Sequence, residues 1–237
     1  MAETETETAP GAQGFIPPGA DTLDELRAAA TGCQGCDLHR DATQTVFGRG
    51  DGHARVVFVG EQPGDIEDQK GLPFVGPAGH LLRRAVDDAG LDPRQLYITN
   101  AVKHFRFERR GQRRIHQTPD RTHIVACRPW LVAEFARLHP EIIVVLGATA
   151  AKALLGPAFR VTRSRGVLLP WPDSAERPQD FASAPAGTGR APERRPVDPA
   201  RLLATIHPSA VLRADDRATA YAGLVADLTV VAGALAA

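Results

Sequence analysis

Three short apolar runs constrain the fold of this chain more than any other feature. They read RVVFVG at residues 55–60, LYITN at 96–100 and EIIVVLG at 141–147. Apolar runs of this length, rich in β-branched residues, are typical of strands that are buried on both faces of a sheet. Two further runs, GVLLP at 166–170 and LLATI at 202–206, predict two more strands.

Helical patterns lie between and around these strands. TLDE at Thr22–Glu25 fits a capping box, in which the threonine and glutamate side chains each accept a hydrogen bond from the other's backbone N–H. Pro129 lies inside the longest pattern and should kink that helix or delay its start. The predicted helices cover residues 22–30, 79–89, 120–138, 148–155 and 217–235. Strands that alternate with helices predict an α/β fold with a central parallel sheet covered on both faces.

The organisation of the chain follows from its low-complexity segments. Residues 1–20 are rich in Thr, Glu, Gly, Ala and Pro, which predicts a disordered tail. Residues 172–200 contain six prolines and no helix or strand pattern. This stretch predicts a flexible insertion instead of a second domain. We therefore expect a single domain over residues 21–237.

Charge and cysteine content narrow the class of protein. The formal net charge is zero, so no global basic field indicates nucleic acid, although residues 103–114 carry six Lys and Arg against one Glu. We see no signal peptide and no apolar run long enough to span a bilayer, and we expect a cytoplasmic monomer without a membrane partner. Three cysteines, without a secretion signal, argue against a disulfide framework.

The cysteines indicate a metal centre or a redox pair. Cys33 and Cys36 form a CxxC motif, and their thiolates could bind one metal centre. Cys127 lies far away along the chain, so a fourth ligand would be needed. His104 is the best candidate because it directly follows a predicted strand end. The alternative is a redox CxxC motif and an unrelated buried thiol, and the residues alone leave both possibilities open.

Polar and aromatic residues cluster at or just after the predicted strand ends. They are Glu61, Gln62, Phe74, Asn100 and His207. Because the carboxyl ends of parallel strands share one edge of the sheet, these side chains should meet there. Each has a plainer alternative: a simple turn, a lid on the core, or a polar residue at a helix start. Together they predict a pocket for a heterocycle, with Ser209 capping the next helix and Arg213 reaching a phosphate.

The segment GQRRIHQTP, at residues 111–119, has little apolar content and predicts a solvated loop. Taken alone, Arg113 and Arg114 in this loop would contact phosphate groups, and His116 would be one more donor.

These motifs, taken in order, resemble the uracil-DNA glycosylase superfamily, and in particular its iron–sulfur branch, family 4. The resemblance rests on GEQPGDIEDQKGLPFVGPAG, ITNAVKH, ACRPWL, IIVVLGATAAKALLG and HPSAVLR. It implies a three-layer α/β/α sandwich, uracil-containing DNA as the substrate and a [4Fe–4S] cluster. The implied cluster ligands are Cys33, Cys36, His104 and Cys127.

The resemblance also implies roles in the pocket. Phe74 would stack on the extruded uracil, Asn100 would read its polar edge, and Gly60 and Asp65 would belong to the same subsite. His207 would donate to the uracil carbonyl oxygen, and Glu61 would stabilise the sugar cation. Single-stranded DNA is the expected preference, since a base leaves a single strand at lower cost.

Three departures from ordinary family 4 match the branch called UdgX. They are Gln62 where that family usually has Ala, His104 where it has Cys, and a longer gap before Cys127 that contains RRIH. In that branch the protein becomes covalently bound to DNA through the histidine of this loop, here His116. Neighbouring Arg113 and Arg114 should keep its imidazole neutral by charge repulsion.

The sequence is therefore compatible with three functions. The first is a uracil-DNA glycosylase that becomes covalently linked to the abasic sugar. The second is an ordinary turnover glycosylase that uses an activated water molecule. The third is a non-catalytic iron–sulfur module that binds DNA or transfers electrons.

Overall fold

The computed structural model describes residues 11–171 and 201–236, and they are built around a six-stranded sheet. The strands are β1 Arg49–Gly50, β2 Val56–Gly60, β3 Leu96–Asn100, β4 Phe107–Arg110, β5 Arg113–His116, β6 Ile142–Leu146, β7 Leu168–Pro170 and β8 Arg201–Thr205. The main sheet has the order β1-β3-β2-β6-β8-β7. Its four central strands are parallel, as predicted, whereas the edge strands β1 and β7 pair antiparallel.

Helices cover both faces of this sheet, so the α/β sandwich is confirmed. They are α1 Leu23–Ala30, α2 Asp65–Lys70, α3 Pro77–Asp88, α4 Arg121–Leu138, α5 Gly147–Leu155, α6 Val161–Ser164, α7 Pro208–Arg213 and α8 Arg217–Ala236. In β2, Val57 and Val59 pack in the core layer that contains residues of α4 and α5. Val56 and Phe58 pack in the opposite layer, with residues of α3 and α8. The strict alternation of a strand thus divides one apolar run between two cores.

The helix ends explain where the longer helices begin. At α1 the predicted capping box is present: Glu25 N donates to Thr22 Oγ1 at 3.1 Å, and Thr22 N donates to Glu25 Oε2 at 2.9 Å. At α4, Asp120 accepts from the backbone of His123, and the ring of His123 accepts from Asp120 N. This second capping box starts α4 at Arg121, so Pro129 lies inside the helix and does not delay its start.

The predicted tail boundary at residue 20 is wrong. Residues 11–20 pack against the domain, with Ala12 and Ala20 buried, because they contact the cysteine-containing loop and α4. Gly11 N donates to Gly35 O at 3.1 Å, and Arg137 Nε donates to Ala20 O at 3.0 Å. Residues 1–10 of the predicted tail and the predicted insertion at 172–200 lie outside the described residues.

The arginine-rich segment is a β-hairpin and not the loop that its composition predicts. Strands β4 and β5 pair antiparallel, with Phe107 opposite His116 and Arg110 opposite Arg113. Gly111 takes a φ of 59° in the two-residue turn, a conformation that glycine adopts without strain. His116 is therefore carried at the end of a regular strand.

The final helix, α8, is longer than its apolar run suggests. By length and composition its 20 residues could cross a bilayer. In this fold Leu224, Leu228 and Val231 are fully buried against the sheet. Asp227, on the same helix, accepts from Arg165 and Thr205, which ties the helix to the sheet edge.

Candidate active site

A cavity of about 690 Å³ opens at the carboxyl ends of the parallel strands. Glu61 and Gln62 follow β2, Asn100 ends β3, Gly147 follows β6 and His207 follows β8. The register of the strands brings these ends level, since Gly60 pairs with Asn100 and Leu146 with Thr205. The predicted meeting of these residues at one edge is therefore present.

Phe74 forms the apolar wall of the cavity, in a strained conformation. Its φ of 53° is uncommon for a residue with a side chain, and such strain often accompanies functional positions. Two glycines make this arrangement possible. A Cβ on Gly79 would lie 1.8 Å from Phe74 O, and a Cβ on Gly60 would lie 2.6 Å from Phe74 Cζ. The ring of His207 lies 5.9 Å from that of Phe74, centroid to centroid.

Asn100 carries a buried acceptor that has no partner among residues 11–171 and 201–236. The residue is 2% exposed, and no hydrogen bond reaches its Oδ1. A buried polar atom without a hydrogen bond is costly, which favours a ligand donor at this position. Gly60 again gives the room, because its Cβ would lie 2.4 Å from this oxygen.

His207 is held as a hydrogen-bond donor. It caps α7: Ser209 N donates to its Nδ1 at 3.1 Å, and Ser209 Oγ lies 2.8 Å from the same atom. Burial, and then the nearby charges of Arg213 and His116, lower the pKa of His207 to about 4. The neutral ring, with Nδ1 accepting, must carry its hydrogen on Nε2.

His116 lies at the rim of the cavity, half-exposed, beside two residues that follow β2. Its Nε2 lies 3.4 Å from Glu61 Oε1 and 2.9 Å from Gln62 Nε2. Burial lowers the pKa of His116 from its usual value, Glu61 opposes this and Arg213 adds to it. The predicted neutral imidazole is thus supported, but the repelling cation is Arg213 instead of Arg113 and Arg114.

The backbone of Arg106 fixes the orientation of the Gln62 amide and thereby the atom that faces His116. Its Oε1 accepts from Arg106 N at 3.0 Å, while its Nε2 faces Arg106 O at 3.2 Å and Gln117 O at 2.9 Å. The nitrogen of this amide is therefore the atom that faces His116, and it can only donate. Its two hydrogens have three acceptors within reach, Arg106 O, Gln117 O and His116 Nε2, so a hydrogen bond to a neutral His116 is shared with the two carbonyls.

Arg114 holds the hairpin on α2. Its guanidinium contacts Asp65, bonds Asp68 Oδ2 at 2.6 Å and Thr43 Oγ1 at 3.1 Å, and lies over the rings of Phe105 and Phe107. The sequence predicted that Arg114 would contact DNA, but these contacts engage its side chain within the protein. They also engage Asp65, which was expected at the uracil. Arg113 is exposed on the opposite face of β5.

Ser209 was expected to cap the next helix, but the N-cap of α7 is His207, whose Nδ1 accepts from Ser209 N. Ser209 and Arg213 line the cavity, as does Glu67, which sequence reasoning missed. Glu67 is buried in α2, and its Oε1 accepts from Gly76 N at 2.8 Å, which fastens the Phe74 loop. Its signal in the sequence was weak, since a six-residue helix shows no readable periodicity.

The predicted cluster ligands are all buried. Cys33, Cys36, Cys127 and His104 are 6%, 4%, 3% and 4% exposed, and the three cysteines share one core cluster. Burial raises the pKa of Cys36 to about 11 and of Cys127 to about 12. Trp130 Nε1 donates to Cys33 Sγ and Lys103 N to Cys127 Sγ, both at 3.2 Å. Such N–H donors to sulfur are typical around iron–sulfur clusters.

His104 is a less clear ligand than the cysteines. Burial and the nearby His39 lower its pKa to about 4, so the ring is in the neutral form that binds metals, but its Nε2 is 2.9 Å from Thr45 Oγ1. Within residues 11–171 and 201–236, no three His, Cys, Asp or Glu side chains are close enough to hold a single metal ion. The buried sulfurs and their N–H donors fit a cluster, which is wider than one ion.

Comparison with known proteins decides the family. The model of the uracil DNA glycosylase superfamily matches residues 47–229. The chain belongs to this superfamily. The type-4 uracil-DNA glycosylase of Thermotoga maritima is 38% identical over 140 residues, which are 59% of this chain and 69% of the relative. That of Sulfurisphaera tokodaii is 35% identical over 156 residues, 64% and 68% of the two chains. These coverages assign the chain to family 4.

The cluster ligand predicted at Cys127 can be tested by replacing this residue. Cys127→Ser should remove the brown colour, the visible absorbance and the bound iron of the purified protein, because a hydroxyl is a poor ligand for cluster iron. Val125→Ser, an exposed change on the same helix, should retain all three. Wild-type protein that contains zinc and no iron in elemental analysis would refute the cluster.

The charge of Arg213 should be visible in the titration of His116. Since this cation lowers the pKa of the imidazole, Arg213→Gln should move the His116 titration to higher pH. His207 should move in the same direction. Histidine ring proton shifts in NMR measure both, with Arg94→Gln, far from the cavity, as the control. An unchanged His116 midpoint would show that Arg213 is screened by solvent.

Proposed function

We propose that this protein excises uracil from DNA and becomes covalently linked to the abasic sugar through His116. Membership of family 4 supports the excision, and the surroundings of His116 support the linkage. The preferred substrate is single-stranded DNA, because extruding a base from a duplex costs a few kcal/mol more. The protein acts as a monomer.

The cavity suits a uracil ring. Phe74 stacks on the flipped base, and the unpaired Oδ1 of Asn100 accepts from its N3–H. The Nε2–H of His207 donates to the carbonyl oxygen that gains negative charge as the glycosidic bond breaks. A donor placed at a developing anion typically contributes about 3 kcal/mol to the transition state. The carboxylate of Glu61, which lies beside His116, stabilises the sugar cation.

His116 then takes the place of the water molecule. The bond between the sugar carbon and uracil breaks, and its electron pair leaves with uracil. The Nε2 lone pair of His116 forms the new bond to that carbon, and the Nδ1 proton passes to solvent, while uracil takes up a proton. Fixing the nucleophile beside the carbon contributes about 7 kcal/mol or more over a diffusing reactant. The product lacks an easy hydrolysis route, so the link persists.

Cys33, Cys36 and Cys127, with His104, would hold the [4Fe–4S] cluster. When bound, the cluster would fix the loops that face DNA. The chain's own contribution near it is a set of buried N–H donors, those of Trp130 and Lys103, that orient the sulfurs.

One observation carries the proposal: the imidazole Nε2 of His116 lies 3.4 Å from Glu61 Oε1 at the cavity rim, on a strand that Arg114 fastens to α2. An ordinary turnover enzyme needs water at this place. Here the ring of His116 and the amide of Gln62 occupy the space beside Glu61, which favours the imidazole as the attacking group.

Replacing His116 tests the linkage. Wild-type protein incubated with a uracil-containing oligonucleotide should give a product that survives boiling in detergent, with the mass of protein plus oligonucleotide minus uracil. His116→Ser should give no such product and should release free abasic DNA, because water then reaches the cation. His80→Ser, a change away from the cavity, is the matched control. Free abasic DNA and unmodified protein from the wild type would instead identify a turnover enzyme.

Replacing Arg113 and replacing Arg114 should affect DNA binding and the covalent reaction differently. Arg113 is free to contact phosphate, so Arg113→Gln should reduce the salt dependence of single-strand binding by about 0.7 in log Kd per log salt. Arg114→Gln should leave that slope unchanged and slow the covalent reaction, since it releases the hairpin from Asp68. Fluorescence anisotropy over a salt series and a timed gel assay give the two quantities. Equal slopes for the Arg113 variant and wild type would remove Arg113 from the DNA contact.

A further inference from the structure

Lys103 is a lysine in an unusual environment. Its side chain is fully buried, as is that of its ion-pair partner Glu134 on α4, and their charged atoms are 2.5 Å apart. Lysine is almost never fully buried without a partner, because its charge must lose water. The pair lies under the strand end that carries Asn100, on the side away from solvent.

All three hydrogens of the Lys103 ammonium have acceptors. They are Glu134 Oε2 at 2.5 Å, Thr99 Oγ1 at 2.6 Å and the backbone oxygen of Asn100 at 2.9 Å. Glu134 is also satisfied, since Tyr97 and Thr99 donate to it at 2.9 Å. A fully satisfied buried network of this kind fixes one geometry, whereas a partly satisfied one would not.

The backbone of Lys103 explains why its side chain is needed. In an ordinary β-turn the N–H of residue 103 would donate to the oxygen of residue 100. Here that N–H donates to Cys127 Sγ at 3.2 Å. The ammonium takes over the vacated acceptor, Asn100 O. A single residue therefore supplies the backbone donor to a cysteine and the side-chain donor to the pocket residue.

Because stability does not require a buried ion pair, which apolar residues often replace without loss, another role is needed to explain it. We propose that Lys103, held by Glu134, is a positioning residue that orients Asn100 for recognition of the base. This inference depends on the proposed role of Asn100 at uracil. The Oδ1 of Asn100 points at its ligand only while the Lys103 ammonium holds the backbone oxygen of Asn100 in place.

A double-mutant cycle separates this role from a structural one. The paired change Lys103→Met with Glu134→Gln removes the ammonium without leaving a buried charge. It is introduced into the wild type and into Asn100→Ala. Single-turnover uracil release, affinity for a uracil-free oligonucleotide and the thermal midpoint are measured for all four proteins.

In the wild-type background the paired change should slow uracil release about tenfold, within the range of coupling between contacting residues. In the Asn100→Ala background it should have less than a twofold further effect, since the residue through which Lys103 acts is absent. Affinity for uracil-free DNA should not change in either background. Equal slowing in both backgrounds overturns the inference, because it would mean that the charge or the fold acts directly.

Two additions keep the test decisive. Arg55→Met with Glu141→Gln removes a second ion pair, which joins the starts of β2 and β6 at the other end of the sheet, and should leave uracil release unchanged. If the paired variant does not fold, Glu134→Gln alone, which keeps the shape of the side chain, is taken through the same cycle. Wild-type protein that releases no uracil at all would overturn the proposed function, and this inference with it.

Discussion

The missing side chain at Gly60 is the constraint on which the rest of the site depends. This residue ends β2 beside Asn100 on β3, and the parallel register places the two level. Any Cβ here would lie within 3 Å of both Asn100 Oδ1 and the Phe74 ring. The Phe74 ring and the Asn100 carboxamide can approach each other only because Gly60 has no side chain. In the sequence, Gly60 only ends an ordinary apolar run. Its lack of a side chain nevertheless determines how closely Phe74 and Asn100 can enclose a flat ring.

Much of this arrangement could be predicted from the sequence, because it follows from local patterns. The strand ends at Gly60, Asn100 and Thr205 lie where the apolar runs stop, and the order of the motifs placed their polar residues at one edge. The capping box at Thr22 was equally local. The antiparallel edge strands were not predictable, since Leu168–Pro170 is too short to reveal its direction.

The contacts that hold His116 could not be predicted, because they join residues that are far apart along the chain. The hairpin has few apolar residues, and it is fixed by Arg114 on Asp68, 46 residues earlier. Nothing in RRIH distinguishes an arginine that binds phosphate from one that binds a buried carboxylate. Similarly, the full burial of Glu134 within α4 could not be predicted, because its partner Lys103 lies on a different element.

The two histidines of the cavity show how one side-chain type can serve opposite purposes. His207 accepts at Nδ1 from the backbone of α7, so its Nε2 must donate. The Nε2 of His116 faces the amide nitrogen of Gln62, which can only donate and which also faces Arg106 O and Gln117 O. Burial, and Arg213 in addition, lowers the pKa of both rings below its usual value, which favours their neutral forms. If either hydrogen-bond partner were reversed, the pocket would hold two donors or two acceptors. The proposed reaction requires one of each: a donor to the leaving uracil and a lone pair for the sugar carbon.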